Sequence, residues 1–202
     1  MRIAAMYSFN GGEEFIAQKH QFELDEVLQI IEEVDAESCN ASGRKRLLYS
    51  SSAFNKTFEQ LFSRKGWLRH ELMASYSKKD YVPGYVPDTP NKPVLRDIAH
   101  VKNKLGVEYQ FSDYRDMVYD VNAKMTNFAK RGVIDCGVEI VPVKCLADEM
   151  SSIVSFFEQF VWDLKHRGVS DIDIPVLIIG IDTDGIKPKD LKIAETRQNY
   201  LP

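Results

Sequence analysis

Two stretches constrain this chain more than any other feature of its sequence. Val133 to Val143 (VIDCGVEIVPV) is dense in valine and isoleucine, and Pro175 to Ile181 (PVLIIGI) is apolar throughout. Neither alternates apolar with polar residues, as a strand with one wet face does. Each reads as a strand buried on both sides, so helices must lie above and below it. The sequence supplies those helices. Tyr114 to Lys130 carries Met117, Val118, Val121, Met125 and Phe128 at helical spacing and is stopped by Gly132. Ile153 to Arg167 is amphipathic and stopped by Gly168, and Lys144 to Met150 is a short helical piece before it.

The rest of the chain fits around this pattern. Met1 to Ser8 reads as a short strand. Phe22 to Ala36 places Val27, Leu28, Ile30, Ile31 and Val34 on one face of a helix whose other face is acidic. Ser51 to Arg64 is helical, with Phe54, Phe58, Leu61 and Phe62 in one stripe, which reads as core rather than as a base-stacking platform. Trp67 to Tyr76 is a candidate strand. Val82 to Pro90 holds three prolines and a glycine and reads as a loop. Val94 to Val101 and Leu105 to Phe111 read as paired strands joined by a turn at Lys102-Asn103-Lys104. Helices followed by β-β-α-β-α-β place the chain in the α/β class, as a central mixed sheet flanked by helices. At 202 residues and 23.1 kDa the chain is expected to form one domain over 1–202.

The net charge of −4 conceals an uneven distribution. Glu13 to Glu37 holds nine acids and one lysine, and Arg44 to Arg69 holds seven bases and one acid. Opposed segments of this kind either give an acidic protein a basic face or neutralise one another. Cys39, Cys136 and Cys145 are an odd, widely spaced set without a CxxC, so a reducing compartment is expected and a structural zinc site is not. Cys136 and Cys145 read as small buried apolar residues. No basic segment followed by an apolar one opens the chain, and no apolar run is long enough to span a bilayer. A cytoplasmic location away from membranes is expected.

The chemistry concentrates after the proline-rich loop, in DIAHVKNKLGVEYQF, Asp97 to Phe111. Glu108 sits among apolar neighbours on a core strand, and a buried carboxylate must be paired, protonated or bound to a cation. Residues two apart on a strand share a face, so Glu108 and Gln110 point together. An acid on the preceding strand would converge on them, and oxygen donors of this kind suit a hard divalent cation. A lone acid satisfied by a structural partner fits the same spacing. His100 could serve as a general base, but strand alternation turns it away from Ala99, toward a structural or solvent-facing place.

The segment resembles the core of the BglII- and BstYI-type restriction endonucleases, a branch of the PD-(D/E)xK nuclease superfamily. There, an aspartate and eight further residues precede Glu-x-Gln-Phe, and this chain has Glu108-Tyr109-Gln110-Phe111. The similarity extends through Tyr114, Ile134 to Pro142, Glu149-Met150-Ser151-Ser152, Ser155 to Glu158 and Val176 to Ile181. It also takes in Asp35-Ala36-Glu37, Leu48-Tyr49-Ser50 and Lys65-Gly66-Trp67. The resemblance implies a catalytic core over about 94–182 with an N-terminal helical part over about 1–76. It implies a homodimer around double-stranded DNA and Mg²⁺-dependent cleavage of a short palindromic site, a GATC-containing one among the candidates, beside a cognate DNA methyltransferase. Glu108 and the Tyr109 carbonyl would be metal ligands, and Gln110 would orient water where related enzymes have lysine.

Two departures stand out. Ala99 occupies the position of the family's metal-binding aspartate and has no side-chain donor. Asp97 lies two residues earlier, roughly 6.5 Å along the strand, and could replace it only if the strand shifts or bulges. An engineered knockout, a naturally inactive relative and replacement by Asp97 are the three explanations, and loss of the carboxylate is favoured over replacement. This leaves a catalytically inactive, sequence-specific DNA-binding protein of the same fold as the rival reading. The second departure is Asp113, where relatives read a base edge with Lys or Asn; an acid there would accept from a cytosine amino group or repel phosphate. Ser151, Ser152 and Ser155 match a loop that approaches bases in relatives, and could equally cap a helix starting at Ile153. Lys102, Lys104, Arg44, Lys45 and Arg46 are candidate phosphate contacts or solvated surface.

Overall fold

The computed structural model describes residues 1–41, 48–77, 79–87 and 93–184. The first strand, β1 (Arg2–Phe9), is followed by helices α1 (Gly12–Lys19) and α2 (Gln21–Glu33), a 3₁₀ turn (Ala36–Cys39) and helix α3 (Ser51–Arg64). Next come β2 (Leu68–Ala74), β3 (Val94–Lys102) and β4 (Leu105–Tyr109). One long helical segment then runs as α4 (Tyr114–Tyr119), a π-helical turn (Asp120–Lys124) and α5 (Met125–Lys130). The chain continues through β5 (Cys136–Pro142), α6 (Lys144–Met150), α7 (Phe157–Arg167) and β6 (Val176–Asp182).

The six strands form one mixed sheet in the order β1-β6-β5-β4-β3-β2. The two apolar stretches are its centre: β5 pairs in parallel with both β4 and β6, and every residue of β5 is buried. The outer pairs are antiparallel. The aromatic stripe of α3 packs on one face of the sheet, where Phe58 stacks on Tyr109 and Phe62 on His100. The α4–α5 segment and α7 cover the other: Met125 lies against Gly137, and Phe157 against Gly180. The β3–β4 turn uses positive φ at Asn103 (47°) and Lys104 (69°), the backbone of a tight two-residue hairpin.

The structure corrects several expectations. Helix α1 precedes the acidic helix and was not anticipated. The last long helix begins at Phe157 rather than Ile153, because Ser155 donates its N–H to the Ser112 carbonyl at 2.9 Å and holds residues 151–156 in a loop. Ser151, Ser152 and Ser155 therefore do not cap a helix at Ile153. Cys39 and Cys136 are buried, but Cys145 is exposed, its thiol donating to Asp182 Oδ2 at 3.1 Å. No helix among the described residues is long and apolar enough to cross a membrane.

Candidate active site

The site forms where β3 and β4 part. Their paired residues run from Lys102↔Leu105 to His100↔Val107. One step further, the Ala99 N–H donates to the side chain of Glu108, Oε1 at 3.0 Å. This carboxylate therefore sits in the fork of the two strands, 6% exposed. The β2–β3 register also shifts here. Leu68 pairs with Val101 and His70 with Ile98, so β3 carries one residue more than its partner around Ala99. Such bulges re-aim side chains and recur beside active sites.

Asp97 lies just before the bulge. It lines an open cleft of about 240 Å³ with Gln110, Asp116, Tyr119, Asp120 and Lys124, but its carboxylate meets Arg69 at 3.0 Å rather than Glu108. Gln110 accepts from the Ser112 hydroxyl at 2.7 Å and donates its amide to Asp120 Oδ2 at 3.2 Å. The Tyr109 side chain is on the other sheet face, between Phe58 and His100 and bonded to Glu59 at 3.1 Å, so any ligand it offers is its main-chain carbonyl. His100 is on that face too, 1% exposed, and burial holds its imidazole near pKa 4 against the pull of Glu59; it does not reach Glu108.

Three residues that matter here were not singled out from the sequence. Glu139 is opposite Glu108 in the parallel β4–β5 register, so the two share a face. It is fully buried, and neither carboxylate oxygen has a hydrogen-bond partner. Asp120 and Lys124 come from the π turn. The Lys124 ammonium lies 2.6 Å from Asp120 Oδ1 and 3.1 Å from Glu108 Oε1. Burial, reinforced by Asp120, pushes Glu108 up to about pKa 7 even though Lys124 opposes the shift. Burial raises Asp120 as well, and raises Glu139 well above the carboxylate range. Burial would lower Lys124, but the Glu108 and Asp120 carboxylates outweigh it and hold the ammonium charged.

These residues do not fit a divalent cation as they stand. Among the described residues, no three His, Cys, Asp or Glu side chains converge as metal ligands. Ala99 offers no oxygen, Asp97 is turned to Arg69, and Lys124 already sits on Glu108.

The remaining candidates are scattered. Asp113 caps α4, accepting the Arg115 N–H at 2.9 Å and pairing with its guanidinium at 3.0 Å, which holds its carboxyl below the usual range. Ser151 and Ser152 are in the loop before α7, whereas Ser155, in the same loop, is buried at 2% exposed. Lys102 is not a free surface cation: it pairs with Glu26 at 2.6 Å and donates to the Lys65 carbonyl at 3.1 Å. Lys104 stays half exposed, 3.5 Å from Asp135. Arg44, Lys45 and Arg46 lie outside the described residues.

The same architecture recurs in known proteins. The solved structure of BglII complexed with a DNA 16-mer superposes with a TM-score of 0.65 at 16% identity, covering 91% of this chain and 79% of that one. Free BglII gives 0.61 at 16% identity, covering 91% and 81%. No curated protein matches the chain in a sequence comparison. The family model for the restriction endonucleases BglII/BglIII matches residues 4–181, which takes in nearly all of the sheet and the fork that holds Glu108, and the chain belongs to that family.

Proposed function

We propose that the chain is a type II restriction endonuclease that binds a short palindromic site in duplex DNA as a homodimer, and that Ala99 impairs its Mg²⁺-dependent cleavage. The observation that carries this reading is the fork itself. Glu108 is held by the main chain of residue 99, so an aspartate at 99 would start beside the carboxylate it must work with. Gln110 follows on the same face, steadied by Ser112 and Asp120. The relative crystallised with a DNA 16-mer supports duplex DNA as the partner. A cognate methyltransferase would protect the host's own copies of the site.

The lack of a carboxylate at position 99 favours one further reading, a protein that occupies its DNA site without cutting. A cleavage assay separates the two. Long, unmethylated DNA of diverse sequence is incubated with Mg²⁺ and either this chain or Ala99→Asp. Discrete fragments from Ala99→Asp alone are the expected result, and they would give the site. Specific duplex binding by both proteins with fragments from neither would favour occupancy.

A further inference from the structure

The π turn supplies something that the strand motif lacks. Gln110 brings no charge to the fork, and among the described residues the cation bonded to Glu108 is Lys124, from the opposite wall. A regular α-helix has 3.6 residues per turn; the wider π turn carries an extra residue, and such turns recur at functional sites. Here it aims Asp120 and Lys124 together at the sheet, with Lys124 only 17% exposed. Two carboxylates, Glu108 and Asp120, share this one ammonium, and Glu139, beside Glu108 in the β4–β5 register, is fully buried with both oxygens unpartnered. The arrangement is that of a cation site whose cation is a side chain.

We propose that Lys124 is the resident cation of this site and competes with a divalent metal for Glu108. This rests on the nuclease reading, in which Glu108 is a metal ligand. Glu108 Oε1 already accepts from the Ala99 N–H at 3.0 Å and from the Lys124 ammonium at 3.1 Å, which takes up both of its lone pairs, and the ammonium repels a divalent ion brought to the same carboxylate. Metal entry at this oxygen therefore requires the Lys124 side chain to swing off Glu108, toward the open cleft that it lines. Lys124 thereby raises the metal concentration at which Glu108 takes a metal ion once residue 99 is an aspartate.

The test is Mn²⁺ binding by isothermal titration in the absence of DNA, so that no turnover enters. It compares Lys124 with Lys124→Met and Lys124→Arg, each in this chain and in Ala99→Asp. The expected result is that Lys124→Met binds Mn²⁺ at least tenfold more tightly than its parent in the Ala99→Asp background, while Lys124→Arg stays as weak as the parent. Thermal unfolding checks that each variant is folded, and Lys124→Gln replaces Lys124→Met if the latter is not. Equal affinity with and without the ammonium overturns the proposal, and so does weaker binding, which would make Lys124 an organiser of the carboxylates. If no variant binds Mn²⁺, Ala99→Asp included, the metal reading of Glu108 fails and this inference falls with it.

Discussion

Glu139 shows what one residue can impose on the whole chain. Burial, more than the charges of Asp120 and Glu108, lifts it well above its ordinary pKa of 4.5. Above that value the native chain retains a proton that the unfolded chain has released. Where the native state binds more protons, stability falls as pH rises, so this residue destabilises the fold progressively from mildly acidic toward alkaline pH. Glu139→Gln removes the contribution. Its melting temperature should gain on the parent's as the buffer goes from pH 5 to pH 8, read by differential scanning fluorimetry; parallel curves would refute the assignment. His100 acts in the opposite sense. Its pKa falls from 6.5 in the unfolded chain to about 4 when buried, so its contribution is lost as pH drops below about 6.5. His100→Phe, which keeps the 4.6 Å stack on Phe62, should lose less stability than the parent between pH 7 and pH 5. At this scale the sequence was readable unevenly. Glu108 was conspicuous as an acid in an apolar strand, and Glu139 carried the same signal in an even more apolar one. Asp120 and Lys124, four apart on a helix, have the spacing of an ordinary surface ion pair, and only the packed structure turns them inward.

Among the elements, α3 is the clearest case of sequence dictating structure. Its Phe54, Phe58 and Phe62 stripe is fully buried and stacks on Tyr109, Phe111 and His100, as a core stripe should. Phe58→Ala should cost about 3–5 kcal/mol, measured by urea unfolding. Helix α1 was not legible, because eight residues that open with Gly12 directly after Gly11 carry little periodicity. Its position is nevertheless tightly specified: a Cβ on Gly12 would come within 2.2 Å of the Val176 main chain in β6. Backbone in a central strand cannot step aside. Gly12→Ala should therefore destabilise by about 1–3 kcal/mol or more, also measured by urea unfolding. The start of α7 was misplaced for a related reason. Ile153 continues the apolar spacing of the helix yet is 70% exposed, and the hydrogen bond that holds this loop goes from the Ser155 N–H to the carbonyl of Ser112, far away in sequence.

For the molecule as a whole, the opposed segments neutralise one another only in part where they are described: Glu33 pairs with Lys65 at 3.1 Å, whereas Glu26 pairs with Lys102 at 2.6 Å and Arg69 with Asp97 at 3.0 Å. DNA binding, on the proposed reading, must then rely on cations outside these pairs. Affinity for the specific duplex should still fall linearly on a log–log plot against salt, with a slope that counts the phosphates neutralised, measured by fluorescence anisotropy. A flat dependence would exclude a phosphate-tracking interface. The α/β class and the mixed sheet were legible because β5 and β6 are apolar on both faces; the strand order was not, because nothing local says that β1 pairs with β6. That pairing has a consequence for synthesis. Arg2–Phe9 is made first, but its partner Val176–Asp182 leaves the ribosome only about 10–30 s later, at typical elongation rates. Until then β1 has no edge to join, so the sheet cannot be completed on a partly made chain, and a nascent chain of this design stays unassembled until β6 emerges.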